Sequence, residues 1–155
     1  MKIKGKVVIR KGRAEIGKKS VPRGSVAFYW RLSSGKGLKV FYGLENGMKT
    51  TTKKAESIFN HMRKLHDLGV AVKAYSMEKV SLDLRVGGKR VRRTVPAIKV
   101  RHLSQNGPGR KYKPFIHKLK KVVKKTGISN TKDSFKRVNI LWDKRVKSWQ
   151  LVDVR

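Results

Sequence analysis

The chain has 155 residues, of which 41 are Lys or Arg and nine are Asp or Glu, so its formal net charge at pH 7 is +32. It contains no cysteine, which excludes disulfides and thiolate metal sites, and no apolar run reaches signal-peptide or membrane-span length. We therefore expect a single domain that is cytoplasmic (intracellular or virion-associated, not secreted) and has no membrane partner. We also expect nucleic acid or another polyanion to offset the repulsion among its cations.

The first hundred residues predict strands with one helix among them. Strands are predicted at residues 6–10, 25–32, 38–42, 70–75, 80–86 and 91–101, which are rich in β-branched and aromatic residues. A helix is predicted at residues 53–68, where apolar residues recur at helical spacing up to Gly69, a residue typical of helix C-termini.

The rest of the chain predicts a linker, a second helix and a hairpin. Residues 105–113 are polar and rich in Gly and Pro, and the helix that follows has Pro114 in its first turn and ends at Gly127. Residues 139–142 and 149–152 read as two short strands joined by a basic turn.

These elements predict an α+β protein made of one compact unit, residues 1–155. Its parts are a β-rich lobe at residues 1–103 with an antiparallel sheet and one helix, a hinge-like linker at 104–113, and a helix plus C-terminal β-hairpin at 114–155.

Four residues along this order of elements stand out. Lys39 lies in the predicted third strand and Glu56 in the following helix, while Asn139 opens the C-terminal hairpin and Asp153 follows it. In order and residue type the chain resembles the protein kinases and small-molecule phosphotransferases, in a truncated and degenerate form. The small size suggests a viral or mobile-element origin.

The resemblance implies a nucleotide site. Lys39 and Glu56 would hold the nucleotide phosphates, and Asn139 and Asp153 would bind Mg²⁺, so that Mg²⁺ and ATP are the implied cofactors. An Asn and an Asp at ordinary strand ends, where both are common turn residues, remain the alternative.

The catalytic position departs from the family pattern. Ser134 stands where the kinase motif has its catalytic Asp, and Asp133 is one residue out of register. We therefore expect no phosphoryl transfer, because the usual base is absent. A one-residue loop insertion would return Asp133 to that role, so an active ATP-dependent phosphotransferase stays open as an alternative.

The basic residues predict phosphate binding without sequence readout. From residue 85 to the end there are 22 Lys and Arg against three acids, a net of +19. The candidate phosphate contacts are Arg90, Arg92, Arg93, Arg101, Arg110, Lys111, Lys113, Lys118, Lys121 and Lys125. A purely nucleic-acid-binding structural protein with no nucleotide site is the alternative to a kinase-like one, and the sequence does not distinguish DNA from RNA.

Aromatic residues offer a second kind of contact. Phe28, Tyr29, Trp30 and Tyr112 are candidates for stacking on unpaired bases. An aromatic run within a strand is more often part of the core, so we expect the first three to be partly buried.

Overall fold

The structure is a computed structural model that describes residues 2–10, 13–22, 27–33, 35–42, 47–86, 88–104, 106–128 and 139–153. The strands found in these residues are β1 (Lys2–Arg10), β2 (Arg13–Ile16), β3 (Lys19–Pro22), β4 (Ala27–Arg31), β5 (Lys36–Phe41), β6 (Ala74–Val86), β7 (Lys89–Arg101), β8 (Ile140–Asp143) and β9 (Ser148–Leu151). The α-helices are α1 (Gly47–Asp67) and α2 (Tyr112–Thr126), and a short 3-10 helix (Gly109–Lys111) precedes α2. The protein is therefore α+β.

The first seven strands form one sheet, in the order β3-β2-β1-β6-β7-β5-β4. The pairs β1–β2, β2–β3 and β4–β5 are antiparallel, but β1 and β6 run in parallel, with Val7 opposite Leu84. The sheet is thus mixed, whereas we expected an antiparallel one. Parallel neighbours need a long connection, which the elements between β1 and β6 supply.

The sheet curls around one of its faces. Its edge strands β3 and β4 contact each other, and Nζ of Lys19 lies 5.2 Å from the ring centroid of Trp30. The curled face encloses an apolar cluster of buried residues: Ile3, Val7, Ala14, Ile16, Phe28, Leu38, Val40, Tyr42, Val80, Leu82, Val95 and Ala97. Alternate residues of most of these strands therefore supply the core of the sheet.

The strands β2 and β3 were not predicted from the sequence. Each has only four residues, and polar residues occupy half of their positions, so the apolar alternation is too short to be recognised. The structure shows the alternation nevertheless, since Ala14 and Ile16 are buried while Glu15 between them is half-buried. Gly17 begins the connecting turn with a φ of 60°, a left-handed conformation that glycine adopts without strain.

The helix α1 starts earlier than expected and has most of the predicted apolar face, but Leu68, predicted as its last apolar position, lies beyond the helix and is 40% exposed. Ala55, Ile58, Met62 and Leu65 are buried at helical spacing. The helix ends in a Schellman motif: Gly69 has a φ of 76°, its N–H donates to the His66 carbonyl at 2.8 Å, and the Val70 N–H donates to the Leu65 carbonyl at 3.0 Å.

The segment after α1 was expected to be a strand from residue 70, but β6 begins only at Ala74. Residues 70–72 instead lie alongside β9. Leu151 N–H donates to the Val70 carbonyl at 2.9 Å, and Val72 N–H donates to the Leu151 carbonyl at 3.0 Å. The apolar residues here are buried as predicted, but they pair as an isolated bridge at Ala71 rather than as a strand.

The chain divides into two compact units that are not consecutive in sequence. Unit 1 consists of Met1–Ser57 and Tyr75–Val100, and unit 2 of Ile58–Ala74 and Arg101–Arg155. Unit 1 contains the core of the curled sheet, and unit 2 contains α2 and the hairpin of β8 and β9.

The predicted C-terminal hairpin is confirmed. β8 and β9 pair antiparallel with Ile140 opposite Leu151 and Trp142 opposite Trp149, and residues 144–147 form the turn. α2 contacts β9, and Trp149 is fully buried, with its indole N–H donating to the Pro108 carbonyl at 3.2 Å. The hairpin is therefore a central part of unit 2.

We predict that Asp143→Ala destabilises the protein by about 2–4 kcal/mol. Asp143 is only 3% exposed. Its carboxylate forms an ion pair with Arg101 at 3.0 Å and accepts a hydrogen bond from the Arg145 backbone N–H at 2.9 Å. Its removal leaves the largely buried Arg101 guanidinium without this partner. Urea unfolding measures the effect. Asp67→Ala, which removes an exposed carboxylate from the same unit, should change the stability by less than about 0.5 kcal/mol, and equal losses for both variants would contradict the prediction.

We further predict a pH-dependent contribution from Glu78. Lys99 contacts its Oε1 at 2.8 Å and the Ser76 hydroxyl donates to the same atom, and these hydrogen bonds lower the pKa of Glu78. A carboxyl with a lowered folded-state pKa stabilises the protein above its unfolded pKa, and this contribution is lost as the pH falls through the folded pKa.

Glu78→Gln should therefore lower the free energy of unfolding at pH 7 by about 0.5 kcal/mol, since the pair is partly exposed. The difference from the wild type should shrink as the pH falls from about 5 toward 2. Urea titrations across that range measure it, with Glu56→Gln as the control for the loss of one exposed carboxylate. A difference that persists at the lowest pH would mean that packing rather than charge is responsible.

Candidate nucleic-acid interface

The exposed side of α2 carries lysines and no carboxylate. Its buried residues Phe115, Leu119 and Val123 recur every four positions and fix the helix in unit 2. The exposed residues are Lys113, Pro114, His117, Lys118, Lys120, Lys121, Lys124 and Lys125. We call the six lysines of this set the α2 lysine face. It includes the predicted contacts Lys113, Lys118, Lys121 and Lys125, which the structure brings together on one side of one helix.

The cations on this helix repel one another, although Lys124 and Lys125 in its last turn are favourable for the helix dipole. Like charges three or four residues apart, such as Lys121 with Lys124 and Lys125, destabilise an isolated helix by about 0.2–0.5 kcal/mol per pair. The first turn has no acidic residue, and Lys113 there opposes the positive end of the helix dipole. An anion that binds this face would relieve both effects.

Lys118 has a second neighbour within unit 2. A Cβ placed on Gly69 would lie 3.1 Å from Nζ of Lys118, so this ammonium lies beside the C-terminal end of α1. A cation at that position is favourable for the α1 dipole. Lys118 therefore has a structural role in addition to its place on the α2 lysine face.

The strand β7 carries the predicted contacts Arg90, Arg92 and Arg93 in unit 1. Arg90 and Arg92 are well exposed, and both pair with Asp83, at 3.5 Å and 3.1 Å. The hydrogen bond from Arg92 and the nearby guanidinium charges lower the pKa of Asp83. Two cations thus share one carboxylate, so the net charge of Arg90, Arg92 and Asp83 together is smaller than that of the six lysines on α2. Arg93 is half-buried and has interactions of its own.

Arg101 differs from the other candidate phosphate contacts. Its side chain is 17% exposed and pairs with the buried Asp143 at 3.0 Å. Its charge is therefore compensated inside unit 2, and the structure assigns Arg101 to the stability of the hairpin. By contrast, Arg110 and Lys111 in the 3-10 helix are exposed.

The predicted metal ligands Asn139 and Asp153 lie at the same end of the hairpin. The Val152 N–H donates to the Asn139 carbonyl at 2.8 Å, which holds the residues flanking the two strands together. Both side chains are half-buried, and both residues have further interactions. In the part of the chain that the structure describes, no group of three or more His, Asp or Glu residues forms a metal cluster.

The predicted phosphate anchors Lys39 and Glu56 both belong to unit 1. On β5, Leu38 and Val40 face the apolar cluster, so Lys39 lies on the opposite face, where its Nζ is 5.9 Å from the Phe41 ring centroid. Glu56 is exposed on α1, and among the described residues no ion pair joins it to Lys39. The candidate catalytic residue Asp133, together with Ser134, lies outside the described residues.

An aromatic cluster in unit 2 was not predicted. Tyr112 and Trp142 both meet the buried Trp149 edge to face, with ring centroids 5.1 Å and 5.8 Å away, and Nζ of Lys111 lies 5.5 Å from the Trp142 centroid. We call these four residues the Trp142 cluster. The signal was present in the sequence, because the predicted strands 139–142 and 149–152 contain Trp142 and Trp149 on either side of the turn.

The linker before α2 is shaped by this cluster. A Cβ at Gly107 would overlap Cγ and Cδ2 of Trp142, so only glycine allows the backbone to lie against the indole ring. Trp142 is half-buried by these contacts, and Trp149 is fully buried.

Within the described ranges no helix is both long and apolar enough to cross a membrane. No protein-family model matches the chain, and a search of curated proteins returned no match.

Proposed function

We propose that this protein binds nucleic acid through phosphate contacts made by the α2 lysine face. The observation that carries the proposal is six exposed lysines on one side of one anchored helix, with no carboxylate among the exposed residues of that side. Such a face neutralises phosphates and releases their counterions, which favours binding at low salt and gives no sequence preference.

The exposed side of α1 shows why the charge distribution matters. It carries Lys53, Lys54 and Lys64, but also the exposed acids Glu56 and Asp67. Mixed charge of this kind is typical of a solvated helix. α2 has no such acids, although the two helices belong to the same chain. The excess of cations is therefore concentrated rather than spread evenly.

We predict that neutralising part of the face weakens nucleic-acid binding more than an equal loss of charge elsewhere. The test variant is Lys121→Gln/Lys124→Gln/Lys125→Gln, which spares Lys118 because of its neighbour at Gly69. The slope of log K against log salt on duplex DNA should become shallower by about 2 to 3, and affinity at low salt should fall at least about tenfold.

The matched control is Lys53→Gln/Lys54→Gln/Lys64→Gln, which removes the same three charges from α1. It should lower affinity only slightly, since these lysines share the surface of α1 with the exposed acids Glu56 and Asp67. Equal losses in both variants would show that bulk charge, not the α2 lysine face, governs binding. Binding that does not respond to salt would contradict the function itself.

A second candidate function is Mg²⁺-dependent nucleotide binding by a degenerate kinase-like protein. The supporting observation is that Asn139 and Asp153 flank the hairpin strands at one end, where the N–H of Val152, the residue before Asp153, donates to the Asn139 carbonyl. One amide oxygen and one carboxylate are a weak site for Mg²⁺ until a nucleotide adds its phosphate oxygens. Ser134 at the expected catalytic position leads us to propose binding without phosphoryl transfer.

We predict that, if this site forms, ATP binding requires Mg²⁺ and is lost in Asp153→Ala. The requirement for metal is decisive, because ATP that merely binds lysines carries more charge without Mg²⁺ and should bind more tightly in EDTA. A titration of nuclease-treated protein with ATP, with and without Mg²⁺, measures the effect. Asp67→Ala is the control for loss of one acidic charge in unit 2. Tighter ATP binding in EDTA would show that lysines bind ATP, and it would contradict a Mg²⁺ site at Asn139 and Asp153.

A further inference from the structure

We propose that the Trp142 cluster is a stacking site for an unpaired base, so that this protein prefers single-stranded nucleic acid to duplex. This inference rests on the proposed function, because the α2 lysine face supplies the phosphate contacts and the cluster adds a contact to a base. It names the kind of nucleic acid that fits unit 2.

The first argument is the state of the two indole N–H groups. Trp149 is buried and its N–H donates to the Pro108 carbonyl. The N–H of the half-buried Trp142 donates to none of the residues that the structure describes, and it is not among their buried unpaired groups. Trp142 is half-buried, so part of this side chain remains accessible while its neighbours hold the ring in place.

The second argument is the rigidity of the ring. Trp142 packs edge to face on Trp149 at 5.8 Å and an angle of 74°, and the Gly107 backbone lies against its indole atoms. Trp149 is in turn held by Tyr112 and Pro108. A ring already fixed by such neighbours loses little conformational entropy when a base stacks on it.

The third argument is the charge around the ring. The Lys111 ammonium lies over Trp142 at 5.5 Å. A base that stacks on the indole would take the place of this cation, and the ammonium would then pair with the adjoining phosphate. The neighbouring acid Asp143 does not oppose this, because it pairs with Arg101 and alternation places it on the other face of the hairpin. The exposed cations that flank Lys111 and follow Trp142 in sequence are Arg110, Lys113, Lys144, Arg145 and Lys147.

A base is available for stacking only when it is unpaired. In a duplex both faces of each base are covered by its neighbours, so duplex DNA can use the lysines but not the indole. A single strand can use both. The same chemistry is offered by single-stranded DNA and by single-stranded RNA.

The experiment compares four labelled probes of equal length, about 20 nucleotides, by fluorescence anisotropy: oligo(dT), oligo(rU), an abasic strand and a duplex. The abasic strand keeps the phosphates and removes the bases. We expect oligo(dT) or oligo(rU) to bind at least about fivefold more tightly than the abasic strand, and the tighter of the two identifies DNA or RNA as the natural partner.

The variant Trp142→Leu keeps an apolar side chain of substantial size but removes the aromatic face. It should reduce the preference for bases over the abasic strand to about onefold while leaving duplex binding unchanged. A circular dichroism spectrum and a urea unfolding midpoint that match those of the wild type show that the variant is folded. Trp142→Phe keeps a ring and should retain part of the preference.

Tyr75→Ala is the matched control, because Tyr75 is also partly exposed and has Lys36 over its ring at 4.9 Å, but lies in unit 1. It should leave the preference intact. Equal binding of oligo(dT), oligo(rU) and the abasic strand, or a preference lost in Tyr75→Ala instead of Trp142→Leu, would overturn the inference. If all four probes bind with the expected salt dependence in that case, the proposed function still stands. If none of the four probes binds, the result contradicts the proposed function itself, and with it the inference that rests on that function.

Discussion

Repulsion among 41 cations, opposed by only nine carboxylates, is the constraint under which the rest of this structure is built. Such an imbalance destabilises the compact state through self-repulsion, and carboxylates that pair with cations oppose it. Glu78 pairs with Lys99, Asp83 with two arginines, and Asp143 with Arg101. Each of these acids lies on a strand, where neighbouring strands would otherwise place cations side by side.

The helix α2 contains no acidic residue. Its lysines are tolerated because apolar residues anchor the opposite side of the helix and Gly127, with a φ of 66°, ends it through a hydrogen bond to the Val123 carbonyl. Tertiary packing therefore maintains a helix that its own charges disfavour. A surface of this kind gains free energy when an anion binds, and anion binding to the folded state in turn stabilises the fold.

The sequence predicted the elements whose signal is local and long. α1, α2 and the C-terminal hairpin follow from apolar periodicity and terminal glycines. It missed β2 and β3, because four residues are too few to display a period. It also predicted a strand from residue 70, because the residues there are apolar, but their backbone pairs with Leu151 of β9 and β6 begins only at Ala74. The parallel pairing of β1 with β6 depends on contacts distant in sequence, which no local pattern contains.

The candidate site shows the same limit. Counting cations identified Lys121 and Arg101 alike, but one is exposed beside other lysines and the other is held by a buried carboxylate. The difference lies in the position of Asp143, which only the fold reveals. Trp142 was overlooked for the related reason that tryptophan in a strand is usually core, and its neighbour Trp149 obeys that expectation. The pair consists of one buried ring, Trp149, which stabilises unit 2, and one half-buried ring, Trp142, which the charge of this protein leads us to propose as the contact for an unpaired base.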